Sequence, residues 1–268
     1  AKEIYDFKIA TNVKPTLVAI CVGDNPASKI YIEKKLAAAL KVGIQATCYK
    51  ISEDQIVKYI NLLNADENVH GYILQLPLPD GKDPTVYFSQ FDPMKDVDVF
   101  HPENVGLLVQ GRPRFKPCTP HAVQLLLQRS GISVAGKKVC IINRSNVVGN
   151  PLSSMLIQEC DDYANATVTV CHDHTPSGLL KNVIWNSDIV VVAVGKPGFI
   201  TADMVHKHHI IVDVGINRIG NKVVGDVDFE SVSKVVSSIS KVPGGVGPLT
   251  ITCLLENTFV AARLAVGK

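Results

Sequence analysis

The sequence predicts an α/β protein of two domains, the second a doubly wound, Rossmann-type parallel sheet. Three observations carry this expectation. Short apolar runs rich in Val and Ile alternate with segments of helical period along most of the chain, as in parallel strands joined by crossover helices. A helix start at Thr119-Pro120, with Thr as N-cap and Pro at the first helical position, divides the series in two. At 268 residues and 46% hydrophobic, the chain is long enough to bury two modest cores.

In the first series, residues 16–22 read as a strand, about 27–40 as a helix, 44–49 as a strand, the stretch after Ser52 as a helix, and 71–76 as a strand. The second series has strands at 138–142, 167–171, 188–194 and 210–214, with helices after Gly149, Thr175 and Thr201. These strands read as continuous apolar runs, the pattern of burial on both faces. A last helix, about 249–264, follows the turn PGGVGP and is expected to pack back on the first domain. The predicted domains are therefore 1–118 with 248–268, and 119–247.

Composition excludes several classes. A net charge of +2, with Lys and Arg spread along the chain, leaves no basic stripe for nucleic acid. No apolar run reaches the roughly 18 residues that span a bilayer, and no signal-peptide pattern opens the chain, so no membrane partner is expected. Seven scattered cysteines without a Cys-x-x-Cys pair suggest neither a disulfide framework nor zinc, and point to a reducing compartment. That compartment is the cytoplasm, or the mitochondrion if a leader is missing from the chain.

In GDNPASKIYIEKK, Ser28, Tyr31 and Lys35 are spaced i, i+3, i+7, so one helical face presents a hydroxyl, a phenol and an amine within two turns. Ile32, Leu36 and Ala39 take the adjacent face and bury against the sheet. Lys35 then borders an apolar environment, where desolvation lowers an amine's pKa toward the range of proton transfer. On spacing alone, a solvated lysine beside Lys34 is the commoner outcome.

Gln75 ends the strand GYILQLPLP, at the edge where parallel sheets gather ligands. It can orient a lysine or a substrate amide, or satisfy loop backbone. Asp96 and Asp98 in MKDVDVFHPEN fall on the same side if the segment is extended. There a carboxylate can accept from an aminopyrimidine-like ring, or cap a turn. The segment VCIINRSNVVGNPLSSML is a strand, a loop and a helix start, an arrangement that offers backbone N–H groups to a pyrophosphate. It lacks the full glycine fingerprint, since only Gly149 is present. His206, His208 and His209 have no acidic partner at metal spacing, so a solvated loop is expected there and no metal.

With these residues in place, the chain resembles the bifunctional methylenetetrahydrofolate dehydrogenase/cyclohydrolase family. The resemblance runs in order through VGDNPASKIYIEKK, LQLPLP, KDVDVFHPENVG, PCTPHAV, NRSNVVGNP, ATVTVCHDHT, DIVVVAVGKPGFI, IIVDVGINR, VVGDVDF and VPGGVGPLT. It implies oxidation of 5,10-methylenetetrahydrofolate by hydride transfer to a nicotinamide, then hydrolysis of the methenyl product to 10-formyltetrahydrofolate. It implies catalytic roles for Lys35, Tyr31 and Gln75. Tetrahydrofolate derivatives would be bound by Ser28, Tyr31, Gln75, Leu76, Asp98, Pro243, Gly244 and Gly245.

Cofactor contacts are implied at Asn143, Arg144, Ser145, Val148, His172, Asp173, Gly195 and Ile216, and a homodimer joined through the nucleotide domains. The chain departs from the family in carrying Asn143 and Val99 where glycine is usual, and residues 1–12 are too few for most of the family's opening helix. Arg144 and Ser145 suit the 2'-phosphate of NADP. Asp173, 24 residues beyond Gly149, suits the free ribose hydroxyl of NAD instead. NADP is the expectation and NAD the alternative.

Overall fold

The computed structural model describes residues 1–24, 26–160, 163–220 and 222–267, apart from the side chains of Pro26, Ala27 and Asp80. The chain forms two compact units, Ala1–Cys118 with Ile251–Lys268, and Thr119–Thr250.

The first unit is built on a three-stranded parallel sheet of order β2-β1-β3, with β1 at Thr16–Val22, β2 at Gln45–Ile51 and β3 at Gly71–Leu74. Helix α1, Lys2–Thr11, precedes it, against the expectation that residues 1–12 lack most of an opening helix. Ile4 and Phe7 explain why it forms: spaced i, i+3, both are buried, and Phe7 meets Phe259 edge-to-face at 5.4 Å. Tertiary packing of this kind stabilises a helix too short to persist alone.

Helix α2, Pro26–Val42, crosses from β1 to β2, with Ile32 and Ala39 buried. Ser52 and Gln55 form a capping box before α3, Ile56–Ala65. In α3, Ile56, Ile60 and Leu63 join Val18, Ile20 and Tyr72 in the core. Two short helices follow β3, α4 at Thr85–Phe88 and α5 at Pro102–Val109.

The second unit carries a five-stranded parallel sheet of order β10-β7-β6-β4-β5. Its strands are β4 (Lys138–Ile142), β5 (Thr167–Cys171), β6 (Ile189–Val192), β7 (Ile210–Asp213) and β10 (Ser238–Ile239); β8 (Asn217–Ile219) and β9 (Lys222–Val224) form a separate antiparallel pair. Helix α6 (Cys118–Arg129) leads into this sheet, and the crossover helices include α7 (Gly149–Leu156), α8 (Ser177–Trp185) and the short α9 (Phe229–Val232). All four residues of β6 are buried.

β5 departs from the expected double-sided burial, because Thr167 and Thr169 are exposed. It is an edge strand, and only its inner face is covered. The start of α6 also differs: the helix opens at Cys118, so Thr119 lies within the first turn and is not its N-cap. The last helix, α10, runs Val246–Ala265. Within the first unit, its Asn257 Nδ2 donates to the carbonyls of Val97 and Lys116, both at 2.8 Å. Among the described residues no helix is long and apolar enough to cross a membrane.

Candidate active site

Lys35 is only 6% exposed, which removes the solvated-lysine alternative. Its Nζ lies 4.6 Å from the centroid of the Tyr31 ring, one turn earlier on α2, and donates to Gln75 Oε1 at 3.1 Å. Gln75 Nε2 in turn donates to the Leu76 carbonyl at 2.6 Å, which fixes the amide with its oxygen toward the amine. Burial holds the Lys35 pKa below the usual amine range, against the opposing charge of Asp98. Burial, reinforced by Asp98, raises the Tyr31 phenol above its usual range. Ser28 is half-buried one turn before Tyr31.

Asp98 completes this constellation as a half-buried carboxylate whose charge acts on Lys35, Tyr31 and the buried thiol of Cys118. Asp96 does not join it. The two carboxylates would share a side only in an extended segment, and residues 97–98 form a turn. Asp96 is fully buried and accepts from the N–H groups of Phe100 and His101 and from Asn104 Nδ2. Its work is to hold the loop that presents Asp98. Val99, immediately after, is buried with φ +67°, a left-handed conformation that a β-branched residue rarely adopts.

In the second unit, β5 and β6 flank β4 on opposite sides, so the carboxyl ends of β4 and β6 border the switch point where doubly wound sheets bind ligands. Asn143 spans that point. Its Nδ2 donates to the Ala193 carbonyl at 2.6 Å, while Oδ1 accepts from Ser145 N, Ser145 Oγ and Gly149 N at 2.7–2.9 Å. Asn150 N bonds to Ser145 O and Pro151 has no N–H. The donors expected to face a pyrophosphate at this helix start are thus engaged within the protein. Val148 N also bonds to Ser145 Oγ, at 3.1 Å. A Cβ at Gly149 would collide with the Asn143 carbonyl, so that glycine is required by close approach.

Arg144 and Asp173 stand at the ends of adjacent strands and pair with each other, Nη2 to Oδ1 at 2.7 Å, both well exposed. His174 Nε2 is 3.4 Å from Asp173 and His172 Nδ1 is 3.9 Å away. Gly195 N and Val194 N both donate to Asp226 Oδ2, and Ile216 is exposed beside the β8 start. Two buried carboxylates that the sequence reading passed over organise these loops. Asp226 also accepts from Asn217 Nδ2, and Asp213 accepts from the N–H groups of Gly215, Asp226 and Val227. Their only sequence signal is an Asp beside or near a glycine at a strand end, in VDVG and VVGDV. Pro243, Gly244 and Gly245 form the turn before α10, with a cis Val242–Pro243 bond and Gly244 at φ +112°.

The three histidines are not simply a solvated loop. Ligating atoms of His206, His208 and His209 lie within 4.8 Å of one another, and His209 is fully buried. Its Nδ1 accepts from His206 N at 3.0 Å, so the ring proton of the neutral form sits on Nε2. That tautomer has no lone pair left for a metal.

Fold and site together define a class: an α/β protein that joins a doubly wound, dinucleotide-type sheet to a unit holding a buried lysine, glutamine and tyrosine. The catalytic-domain family of tetrahydrofolate dehydrogenase/cyclohydrolase matches residues 1–98, and the NAD(P)-binding domain of the same family matches residues 117–266. The bifunctional protein FolD of Nitratiruptor is 45% identical over 266 residues, covering 98% of this chain and 92% of the relative. The crystal structure of the bifunctional FolD enzyme from Campylobacter jejuni aligns with TM-score 0.90 at 43% identity, covering 98% and 93% of the two chains. The Trypanosoma brucei enzyme, crystallised with NADP cofactor and an inhibitor, aligns with TM-score 0.92 at 31% identity, over 100% of this chain and 93% of that one. The chain belongs to the tetrahydrofolate dehydrogenase/cyclohydrolase family.

Proposed function

We propose that this chain oxidises 5,10-methylenetetrahydrofolate to 5,10-methenyltetrahydrofolate with NADP as hydride acceptor, and hydrolyses the methenyl form to 10-formyltetrahydrofolate. The observation that carries this reading is Lys35, buried in the unit that matches the family's catalytic domain and held by Gln75 within reach of Asp98's charge. Residues 1–118 with 248–268 are assigned to folate binding and catalysis, and 119–247 to the dinucleotide.

Burial lowers the Lys35 pKa and so raises the share of the free amine, the form that can take a proton. In hydrolysis, Lys35 accepts a proton from water as the water oxygen adds to the one-carbon bridge. The carbinol then collapses to the formyl group: its hydroxyl proton leaves, N5 gains a proton, and the C–N5 bond breaks. One proton is released overall. Gln75 Oε1 fixes the amine, and Tyr31 flanks the folate ring with a neutral phenol. Asp98 accepts from the pterin edge through charge-assisted hydrogen bonds. Ser28 and Leu76 complete the substrate contacts of this unit.

NADP supplies the nicotinamide that takes up the hydride. Its contacts fall to Asn143, Arg144, Ser145, Val148, His172, Asp173, Gly195 and Ile216. The exposed guanidinium of Arg144 fits a 2'-phosphate, whereas Asp173 at its side favours the unphosphorylated ribose of NAD. NADP is preferred because a ligand phosphate can replace Asp173 as the partner of Arg144, leaving the exposed carboxylate to water. The uncovered edge of β5 supports a homodimer formed through this unit. The direct test mixes protein, methylenetetrahydrofolate and either NADP or NAD, and follows methenyltetrahydrofolate absorbance. If the signal appears with neither cofactor, the reading is wrong.

A further inference from the structure

Cys21 on β1 and Cys48 on the edge strand β2 are half-buried free thiols whose sulfurs lie 2.8 Å apart. In the parallel register Cys21 stands opposite Lys50 and Cys48 opposite Ala19, so the two are diagonal neighbours on one face of the sheet. By contrast, Cys140 and Cys171, diagonal in the same way across β4 and β5, are buried with sulfurs 4.0 Å apart. A disulfide bond measures about 2.05 Å, so the first pair has far less distance to close.

The Cys21–Cys48 pair opens on a cavity of about 160 Å³ whose lining includes Ser28, Lys50 and Gln75. Gln75 is the residue that holds the Lys35 amine, and Cys21 is close enough to Lys35 to feel its charge. Nothing in the hydrolytic mechanism above uses either thiol.

We propose that Cys21 and Cys48 are a redox modification site, closing to a reversible intramolecular disulfide that slows the hydrolytic step of Lys35. The coupling to that step rests on the function proposed above; the bond itself does not. A peroxide is the oxidant. Cys48, on the edge strand, takes the first oxidation, and burial pushes the Cys21 thiol up to about 12. Cys48 thiolate attacks one peroxide oxygen, the O–O bond breaks, and hydroxide leaves a sulfenic acid. The Cys21 sulfur then attacks the Cys48 sulfur, the S–O bond breaks, and water carries away the oxygen with the Cys21 proton. Two thiols lose two electrons and two protons, and one peroxide becomes two waters. Closing the sulfurs draws the end of β1 toward β2, and β1 leads directly into α2, which bears Lys35.

The test treats the full chain with hydrogen peroxide, alkylates the remaining thiols and maps peptides by mass. The expected product joins the Cys21 and Cys48 peptides, lighter by two hydrogens, and is reversed by dithiothreitol. Cys48→Ser abolishes it and Cys140→Ser does not. Methenyltetrahydrofolate hydrolysis by the oxidised parent falls severalfold and recovers on reduction, while peroxide-treated Cys48→Ser keeps its rate. Separate alkylation of both peptides after oxidation would overturn the proposal, as would a bridge that leaves the rate unchanged. A reduced parent with no hydrolysis at all would sink the functional reading and the coupling with it, while the peptide map would still decide the bond.

Discussion

Val99 should cancel an ordinary rule of core substitution. The residue is 2% exposed and sits at φ +67°, so its side chain and its backbone pull in opposite directions. Val99→Ala removes two methyl groups, worth about 0.8 kcal/mol each when buried, and keeps the left-handed penalty. Val99→Gly removes one more carbon, about 0.8 kcal/mol further, and loses about 0.5–1 kcal/mol more through the freedom of the unfolded chain. At an ordinary negative φ, glycine would therefore fall about 1.5 kcal/mol below alanine.

Here glycine alone escapes the left-handed penalty of about 1–2 kcal/mol, and the gap should close to about zero. The loop should survive either change, because Asp96 bonds the N–H groups of Phe100 and His101 independently of residue 99. Urea unfolding of the two variants, followed by far-ultraviolet circular dichroism, measures the difference directly. A glycine variant less stable than alanine by about 1.5 kcal/mol or more would show that the left-handed backbone carries no strain.

The other predictions concern the two sites. Lys35→Gln should slow methenyltetrahydrofolate hydrolysis by about 10²- to 10⁴-fold with folding retained, and hydrolysis at the parent rate would refute the assignment. Because burial lowers the native Lys35 pKa below the 10.5 of an exposed lysine in the unfolded chain, the unfolded chain binds the extra proton between the two values. The stability of the parent relative to Lys35→Met should therefore rise with pH toward 10.5; a flat or falling difference in thermal midpoints contradicts this. Asp98→Ala should weaken folate binding by about tenfold or more, the loss typical of a charged hydrogen bond, and leave NADP binding intact; equal folate affinity in both proteins argues against the pterin contact. Asp173→Ser should raise the ratio of kcat/KM for NADP over NAD, and Arg144→Ala should lower it. A parent that prefers NAD, indifferent to Arg144, would reverse the cofactor assignment.

Strands were legible where burial on both faces leaves a run of apolar residues, as in Ile189–Val192. Thr167–Cys171 was read the same way, yet its Thr-Val alternation was the mark of a covered and an open face. Helix α1 went unexpected because its apolar pair, Ile4 and Phe7, acquires meaning only from Phe259, more than 250 residues away. Lys35 was legible as a face shared with Ser28 and Tyr31. Its burial was not, since a lysine's environment depends on Gln75 and Asp98, which arrive from other segments.

Carboxylates show most clearly where sequence reasoning stops. Asp96 and Asp98 are alike in type and two residues apart, but one is consumed by loop N–H groups and an asparagine amide, while the charge of the other acts on the lysine. Asp213 and Asp226 repeat the first case, each accepting several donors at zero to 3% exposure. A buried carboxylate is tolerable only when its lone pairs are met, and those donors belong to loops whose path no local pattern records. The carboxylate proposed for the ligand is told apart by the loop donors that go to Asp96 instead, a property of the assembled loop. In this chain that loop turns on the left-handed Val99, which separates Asp98 from the scaffold that Asp96 provides.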